Sequence, residues 1–351
     1  MVESKPTLEE WRQLYQAAIR MKEVAPWEWM TETDIFGVQN PETGQMGFVS
    51  IMGMLGEHMA LAVYLGAEGL YSFWNFQEMV ESSPTVAPEM LFELPHLQAS
   101  FEDRAQLSRE DRAVIKQLGL KFRGAQAWPM FRSYRPGFWP WYLEAGEARF
   151  LTCVLEQAIE VALRFKEDPA LLEPSDDESY LVRVPHNGRG VVWEDQIVQV
   201  PPPEPEPISI PMDIAALEAV KRLPHTRNTF EMDLFILPTP IGEKKDERPY
   251  LPYILLTTDA DSGMILGHDL LKPDPDLKAM WGLIPVTVVY QFARVGRLPR
   301  QINVRSPLIS ELLQLLTPEL GFKIKSKSVL RSLDQAKESL WEWLGGLFSA
   351  P

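Results

Sequence analysis

The chain has 351 residues, of which 45% are hydrophobic and 24% are charged. This is the composition of a globular protein, and it excludes a disordered chain or a fibrous repeat. The formal net charge of −15 lies entirely before residue 208, because residues 208–351 hold 17 basic and 17 acidic residues. An acidic surface repels phosphate, so we expect the first part of the chain to be a poor nucleic-acid binder.

The sequence also shows no targeting, membrane or zinc signal. Its beginning lacks the apolar run of a secretory signal, and no stretch has the roughly 18 apolar residues of a membrane span. The single Cys153 has no partner for an internal disulfide, and the five histidines lack metal-ligand spacing. We therefore expect a cytoplasmic protein that binds no membrane, no metal and no resident cofactor.

Two polar segments indicate how the chain is divided. The run EPSDDES at 173–179 is typical of an acidic loop, and PPPEPEP at 201–207 is typical of a stiff spacer, because each Pro fixes φ. We predict an acidic α+β domain over residues 1–200, a Pro-rich linker over 201–211 and a second domain over 212–351.

In the first domain, Thr7 and Glu10 form a capping-box pattern that begins a helix ending near Pro26. The later patterns predict strands at 34–39, 45–52 and 58–65, helices at 67–81, 108–118 and 145–167, and a hairpin around His186-Asn187-Gly188. The predicted fold is α+β with an antiparallel sheet. The stretches APWEWMTETDIFGVQNPETGQMGFVSIMG and YLGAEGLY are similar to uncharacterised bacterial proteins, a resemblance over residues 1–170 that implies no activity.

The second domain has a more specific element order. Strands are predicted at 230–238, 253–258, 264–271, 301–305 and 322–327. Helices are predicted up to about Val295, over 306–321 with Ser306 as N-cap, and from Ser332 to Gly345 with Ser332 and Gln335 in capping-box spacing. The order β-β-β-α-β-α-β-α predicts an α/β domain with a mixed five-stranded sheet covered on both faces.

This order, with the stretches EMDL, YILLTTDADSGMILG and LPRQINVRS, resembles the ribonuclease H-like superfamily of the integrase and transposase type, over residues 229–345. The resemblance implies two Mg²⁺ ions held by carboxylates on the first strand, at the end of the fourth strand and on a late helix. Asp233 matches the first position, and Glu338, or less closely Asp334, matches the third. The second position reads Val304-Arg305-Ser306. A guanidinium there would repel Mg²⁺, which indicates a degenerate active site.

Asp233 lies between apolar residues in a strand predicted to be central. A carboxylate buried there without a partner costs several kcal/mol. We favour a structural ion pair between Asp233 and Arg305. The alternatives are a solvent-exposed Asp233 without a role, and a surviving metal or substrate site.

Eight basic residues and only two acidic ones occur between residues 290 and 331. The basic residues are Arg294, Arg297, Arg300, Arg305, Lys323, Lys325, Lys327 and Arg331. They form either the solvated rim of the domain or a phosphate-binding patch.

These observations favour a non-catalytic protein that binds a partner, a protein or a nucleic acid, at this basic patch. A nuclease or nucleotidyl-transfer enzyme that uses Asp233 and Glu338 with Mg²⁺ is the alternative from another class. A nucleic-acid binder without cleavage activity is a third hypothesis.

Overall fold

The computed structural model describes residues 4–82, 92–173, 176, 178–187, 191–237, 239–242 and 247–348. The chain forms two compact units, one of Met1–Pro136 with Pro140–Pro205 and one of Gly137–Trp139 with Glu206–Pro351. Each unit contains one mixed sheet with helices packed on it, so the predicted mixture of helices and strands in both parts is confirmed. Parts of the predicted acidic loop and of the turn after Asn187 lie outside the described residues.

The first unit is built on a seven-stranded sheet with the order β5-β4-β3-β2-β1-β6-β7. The strands are β1 (Phe36–Gln39), β2 (Met46–Met52), β3 (Ala60–Leu65), β4 (His96–Glu102), β5 (Trp128–Tyr134), β6 (Ser179–Asn187) and β7 (Val191–Gln199). The helices are α1 (Leu8–Val24), α2 (Gly66–Ser82), α3 (Arg109–Gln117) and α4 (Ala145–Glu167), and 3₁₀ turns occur at Pro26–Glu28 and Pro169–Leu172.

This sheet is mixed, whereas the sequence predicted an antiparallel one. β1 pairs in parallel with β6, with Gly37 opposite Val182, while the other neighbouring strands are antiparallel. A parallel pair requires a long crossover connection, and here most of the unit's chain lies between the two strands. The sheet differs from the predicted one in this single parallel pair, which joins the antiparallel strands β1 to β5 to the β6-β7 hairpin.

Helices α1 and α4 pack together and cover one face of this sheet. Leu14 and Leu151 are fully buried in the resulting core. α1 begins with the predicted capping box between Thr7 and Glu10. A Cβ atom at Gly47 would overlap the side chain of Val63 and lie 2.8 Å from Phe150, so only glycine lets α4 approach β2 this closely.

The second unit contains a five-stranded sheet with the order β10-β9-β8-β11-β12. Its strands are β8 (Thr229–Ile236), β9 (Tyr253–Asp259), β10 (Ile265–Leu271), β11 (Gln301–Val304) and β12 (Lys323–Ser326). Its helices are α5 (Ile214–Val220), α6 (Leu277–Gly282), α7 (Ile284–Val295), α8 (Pro307–Gln314), α9 (Thr317–Leu320) and α10 (Arg331–Phe348). β9 is antiparallel to β8 and to β10, whereas β11 is parallel to β8 and to β12.

The central strand β8 presents different side chains to the helices on its two faces. Phe230 lies 6.4 Å, between ring centroids, from Phe292 of α7. Phe235 lies 6.0 Å from Trp341 of α10. Because side chains alternate along a strand, Glu231 and Asp233 share the face of Phe235 and point toward α10. Two buried acids are thereby placed on one face of the sheet.

Candidate functional site

Asp233 is a buried acid that lies beside the guanidinium of Arg305. Its residue is 6% exposed. Arg305 Nη1 lies 3.4 Å from Asp233 Oδ2, and the Leu234 N–H donates to Asp233 Oδ1 at 3.1 Å. Val304, the last residue of β11, pairs with Met232, so the parallel register brings Arg305 beside Asp233.

The same guanidinium also binds a second carboxylate. Arg305 Nη2 donates to Asp334 Oδ1 in the first turn of α10. The other oxygen of Asp334 accepts from the Leu330 N–H at 3.2 Å. Arg305 therefore bridges an acid of the central strand and an acid of the last helix.

Burial raises the pKa of Asp233 above its ordinary value. The positive charge of Arg305 and the Leu234 N–H act in the opposite direction and offset only part of this effect. A single contact at 3.4 Å is longer than a charge-assisted hydrogen bond, which explains why the compensation is incomplete.

The donor set around Asp233 does not fit two Mg²⁺ ions. Asp233 and Asp334 both face a guanidinium, which carries five N–H donors and no acceptor. Glu338 is exposed, and none of the described residues forms an ion pair or a hydrogen bond with it. No group of three metal-ligating side chains occurs within the described ranges. The arrangement can hold charge in place, but it offers no cluster of oxygen ligands.

The eight basic residues of the sequence pattern fall into two groups. Three have acidic neighbours: Arg294 binds Asp269, Arg297 Nη2 lies 3.7 Å from Asp259 Oδ2, and Arg305 is bridged as described. The other five are exposed and form no ion pair with the described part of the chain. They are Arg300, Lys323, Lys325, Lys327 and Arg331. These unpaired cations lie on and around the edge strand β12, and we call them the β12 cations.

Glu231 caps the N-terminus of α10 from the neighbouring sheet. Its Oε2 accepts from the N–H groups of Ser332 and Leu333, at 2.9 and 3.1 Å. The predicted capping box of Ser332 and Gln335 is therefore wrong. Instead, the Ser332 hydroxyl donates to the carbonyl of Ala260 at 3.0 Å. A carboxylate at a helix N-terminus is stabilised by the helix dipole as well as by these two hydrogen bonds.

A polar pocket of about 700 Å³ opens beside this cap. Its wall includes Glu231, Asn303, Lys327 and Arg331. Glu231 and Asn303 are opposite one another on β8 and β11. The sequence reasoning did not identify this pocket. The available signal was the alternation of Gln301, Ile302, Asn303 and Val304, which places polar side chains on one face of a strand that has neighbours on both sides.

The remaining sequence candidates are structural. Cys153 is partly buried in α4, and burial raises the pKa of its thiol to about 11, which keeps it protonated at neutral pH.

Among the described residues, no helix combines the length and the apolar character that a membrane crossing requires.

Two family models match the chain. One is described as "Domain of unknown function (DUF7309)" and matches residues 11–183, and the other is described as "Domain of unknown function (DUF6930)" and matches residues 216–341. The matches lie on opposite sides of the proline-rich run at 201–207, so the chain contains two domains. No curated protein and no solved structure matches the chain.

Proposed function

We propose that this is a non-catalytic binding protein whose second domain is a ribonuclease H-like domain without metal-dependent chemistry. The element order on which that resemblance rests is present, from β8 to α10. The central position of β8 beside β11 supports the proposal as well, since the resemblance implies that the first and fourth strands bring their site residues together.

The observation that carries the proposal is the bridge from Asp233 through Arg305 to Asp334. A carboxylate on the first strand and one on the last helix are two of the positions that the superfamily uses for metal. Here a guanidinium lies between them. A fixed positive charge at that point repels Mg²⁺ and also occupies the oxygen atoms that would coordinate it.

The alternative, a metal-dependent nuclease that uses Asp233 and Glu338, has less support. Glu338 is one helical turn beyond Asp334 and is exposed to solvent. No contact within the described chain draws it toward Asp233. A two-metal site needs carboxylates that converge on ions about 4 Å apart.

The β12 cations are the surface that we propose for partner binding. Lysines on an edge strand also prevent unwanted strand pairing, and that role alone needs no partner. However, Arg300 and Arg331 lie outside β12, so protection of the strand does not account for them. An exposed group of unpaired cations favours an anionic partner through long-range attraction.

A cleavage assay tests the loss of metal chemistry. Labelled single-stranded DNA, duplex DNA, RNA and an RNA–DNA hybrid are incubated with the protein and with Mg²⁺ or Mn²⁺. We expect no more cleavage than in samples with a chelator. Cleavage by the parent protein that Asp233→Asn abolishes would show a working metal centre and overturn this part of the proposal.

A binding assay tests the surface. The triple variant Lys323→Gln, Lys325→Gln, Lys327→Gln is compared with Lys221→Gln, Lys272→Gln, Lys278→Gln, which removes the same charge from lysines that have acidic partners. With a labelled single-stranded oligonucleotide as the anionic probe, we expect about a 10-fold or larger loss of affinity only in the first variant. Equal losses in both variants, or no binding by the parent, would contradict the assignment.

A further inference from the structure

The pocket beside the α10 cap has the properties of a built ligand site. It is lined by polar groups from β8, β11 and the segment that leads into α10. Asn303 is the most informative of them, because the residue is only 2% exposed and yet reaches the pocket.

Asn303 has an unused hydrogen-bond donor. Its Oδ1 accepts from Gln301 Nε2 at 2.7 Å. Its Nδ2 has no hydrogen-bond partner among the described residues. This nitrogen is not one of the fully enclosed polar atoms that lack a partner, and Asn303 lines the pocket, so the donor is available to a ligand there.

Glu231 contributes an unused acceptor next to this donor. Its Oε2 binds the two N–H groups of α10, while its Oε1 has no hydrogen-bond partner in the described ranges. Glu231 and Asn303 are paired in register on adjacent strands, which places their backbones about 4.8 Å apart. The pocket therefore presents one acceptor and one donor, side by side, to the same ligand.

Besides Glu231, three charged residues line the pocket, namely Asp261 and the two cations Lys327 and Arg331. Lys327 and Arg331 are exposed, form no ion pair with the described residues, and line the same pocket as Glu231 and Asn303. A ligand that satisfies all four groups has a flat edge with an adjacent donor and acceptor, and it carries an anionic group. A nucleotide has both features, since base edges present neighbouring donors and acceptors and the phosphate is anionic.

We infer that this pocket binds a nucleotide, with the base edge on Glu231 and Asn303 and the phosphate on Lys327 and Arg331. The inference rests on the proposed function, because it names the ligand class of a domain that binds without cleaving. The ligand has two sources, a free mononucleotide or one nucleotide of a single strand.

Calorimetric titration of the 351-residue chain tests this inference. The probes are the four ribonucleoside 5′-monophosphates, ribose 5-phosphate, inorganic phosphate and a short single-stranded oligonucleotide. We expect at least one nucleoside monophosphate to bind about 10-fold more tightly than ribose 5-phosphate or phosphate, because only the nucleotide has a base edge. An oligonucleotide that binds more tightly still identifies a strand as the source, and equal affinities identify the free nucleotide.

Variants locate the site. Asn303→Asp replaces the free donor with a second carboxylate beside Glu231, and we expect it to weaken nucleotide binding about 10-fold or more. Lys327→Gln with Arg331→Gln is compared with Lys121→Gln with Arg123→Gln, which removes equal charge from exposed residues of the first unit. We expect only the first pair to weaken binding. Asn303→Ala is the second variant at this position in case Asn303→Asp fails to fold, as judged by circular dichroism.

The outcomes separate this inference from the proposed function. If no probe binds, or if the pocket variants bind as the parent does, the nucleotide site is wrong, even where the cleavage assay shows no activity. If phosphate and ribose 5-phosphate bind as tightly as the nucleotides, the base contact with Glu231 and Asn303 is wrong. Divalent-metal-dependent cleavage that Asp233→Asn abolishes would instead overturn the proposed function.

Discussion

The two units each contain a buried aspartate beside an arginine, but the geometry differs. In the first unit, Arg132 donates two parallel hydrogen bonds to Asp111, at 2.9 and 2.7 Å, and both side chains are largely buried. In the second unit, the nearest contact of Arg305 with Asp233 is 3.4 Å, and Arg305 is more exposed. The second arginine is also shared with Asp334.

The pKa values of the two aspartates move in opposite directions. Burial alone would raise the pKa of Asp111, but the hydrogen bonds and charge of Arg132, with help from Ser108, bring it below the ordinary value. Burial also raises the pKa of Asp233, and there the charge of Arg305 offsets only part of that rise. Burial raises the pKa of both carboxyls, and the number and length of their hydrogen bonds to an arginine determine whether the pKa finally lies above or below the ordinary value.

The largest effect is expected when Arg132 is replaced. Arg132→Met leaves the Asp111 carboxylate buried without its cation, and we expect the first unit to lose about 3–5 kcal/mol of unfolding free energy. Urea denaturation followed by circular dichroism measures this loss. Arg20→Met breaks the exposed pair with Glu156 and should cost less than about 1 kcal/mol. Similar losses in both variants would contradict the importance of burial.

His96 of the first unit is a buried titratable group whose pKa is shifted by burial, with no charged residue among the causes of the shift. Burial lowers the pKa of His96 from 6.5 to about 4. The unfolded chain therefore binds this proton more tightly, so the contribution of neutral His96 is fully present above about pH 6.5 and is lost progressively as the pH falls toward 4. The total loss is roughly 3 kcal/mol.

Unfolding free energies at several pH values, for the parent and for His96→Gln, measure this contribution. Between pH 6.5 and 4, the unfolding free energy of the variant should fall less steeply than that of the parent protein. An unaltered slope in His96→Gln would mean that His96 is accessible to protons in the folded protein.

Replacing Arg305 should have a smaller effect than replacing Arg132. Arg305→Met removes one longer contact with Asp233 and the hydrogen bond with Asp334, and we expect a loss of about 1–2 kcal/mol from the second unit. The pKa of Asp233 should rise further, because the charge that lowers it has gone. Carboxyl chemical shifts recorded during a pH titration measure that change. A fall in this pKa would contradict the described geometry.

The smallest effect is expected for Asp233→Asn. Since the pKa of Asp233 is raised in the folded state, its stabilising contribution is present below the ordinary value of 3.8 and is lost as the pH rises through the raised pKa. Removing the charge should therefore leave the stability at pH 7 unchanged or increase it by up to about 1 kcal/mol.

Asp111→Asn is the matched control and should behave in the opposite way. The lowered pKa of Asp111 gives stability that is present above 3.8 and lost as the pH falls through the folded-state pKa. At pH 7 this variant should be clearly less stable than the parent. Equal stabilities of the two variants at pH 7 would remove the distinction between the aspartates.

Elements with local signals could be predicted from the sequence. The capping box of Thr7 and Glu10 identified the start of α1, and the apolar pattern of α4 gave the same range, 145–167, that the structure shows. In both cases the signal lies within the helix itself, as a capping box in α1 and as the spacing of apolar residues in α4. The mixed five-stranded sheet of the second unit followed in the same way, from the order of its elements.

Elements that depend on distant contacts could not be predicted. β4 was missed although its residues, HLQASFE, alternate between polar and apolar. All seven are buried, and the burial of the polar face depends on distant contacts that the alternation does not reveal. β5 contains Pro129, which only an edge strand tolerates, and its edge position is not visible in the sequence. The helix predicted over 306–321 is two helices, because Pro318 lacks the N–H that would continue the first one.

The candidate site shows the same division. The approach of Arg305 to Asp233 could be anticipated from the adjacent positions of their strands. The hydrogen bond between Arg305 and Asp334 could not be anticipated, because it depends on where α10 begins. Asn303 was missed because a polar residue in a short strand reads as solvent-exposed unless the neighbouring strands are known.

The cap of α10 also bears on how the second unit reaches its native state. Glu231 and Leu333 are separated by 102 positions in the chain, yet the carboxylate of Glu231 in β8 accepts hydrogen bonds from the N–H groups in the first turn of α10. During synthesis on the ribosome, this contact cannot form until almost the whole unit has emerged. The terminal helix and the central strand should therefore gain protection from hydrogen exchange together, as one cooperative block.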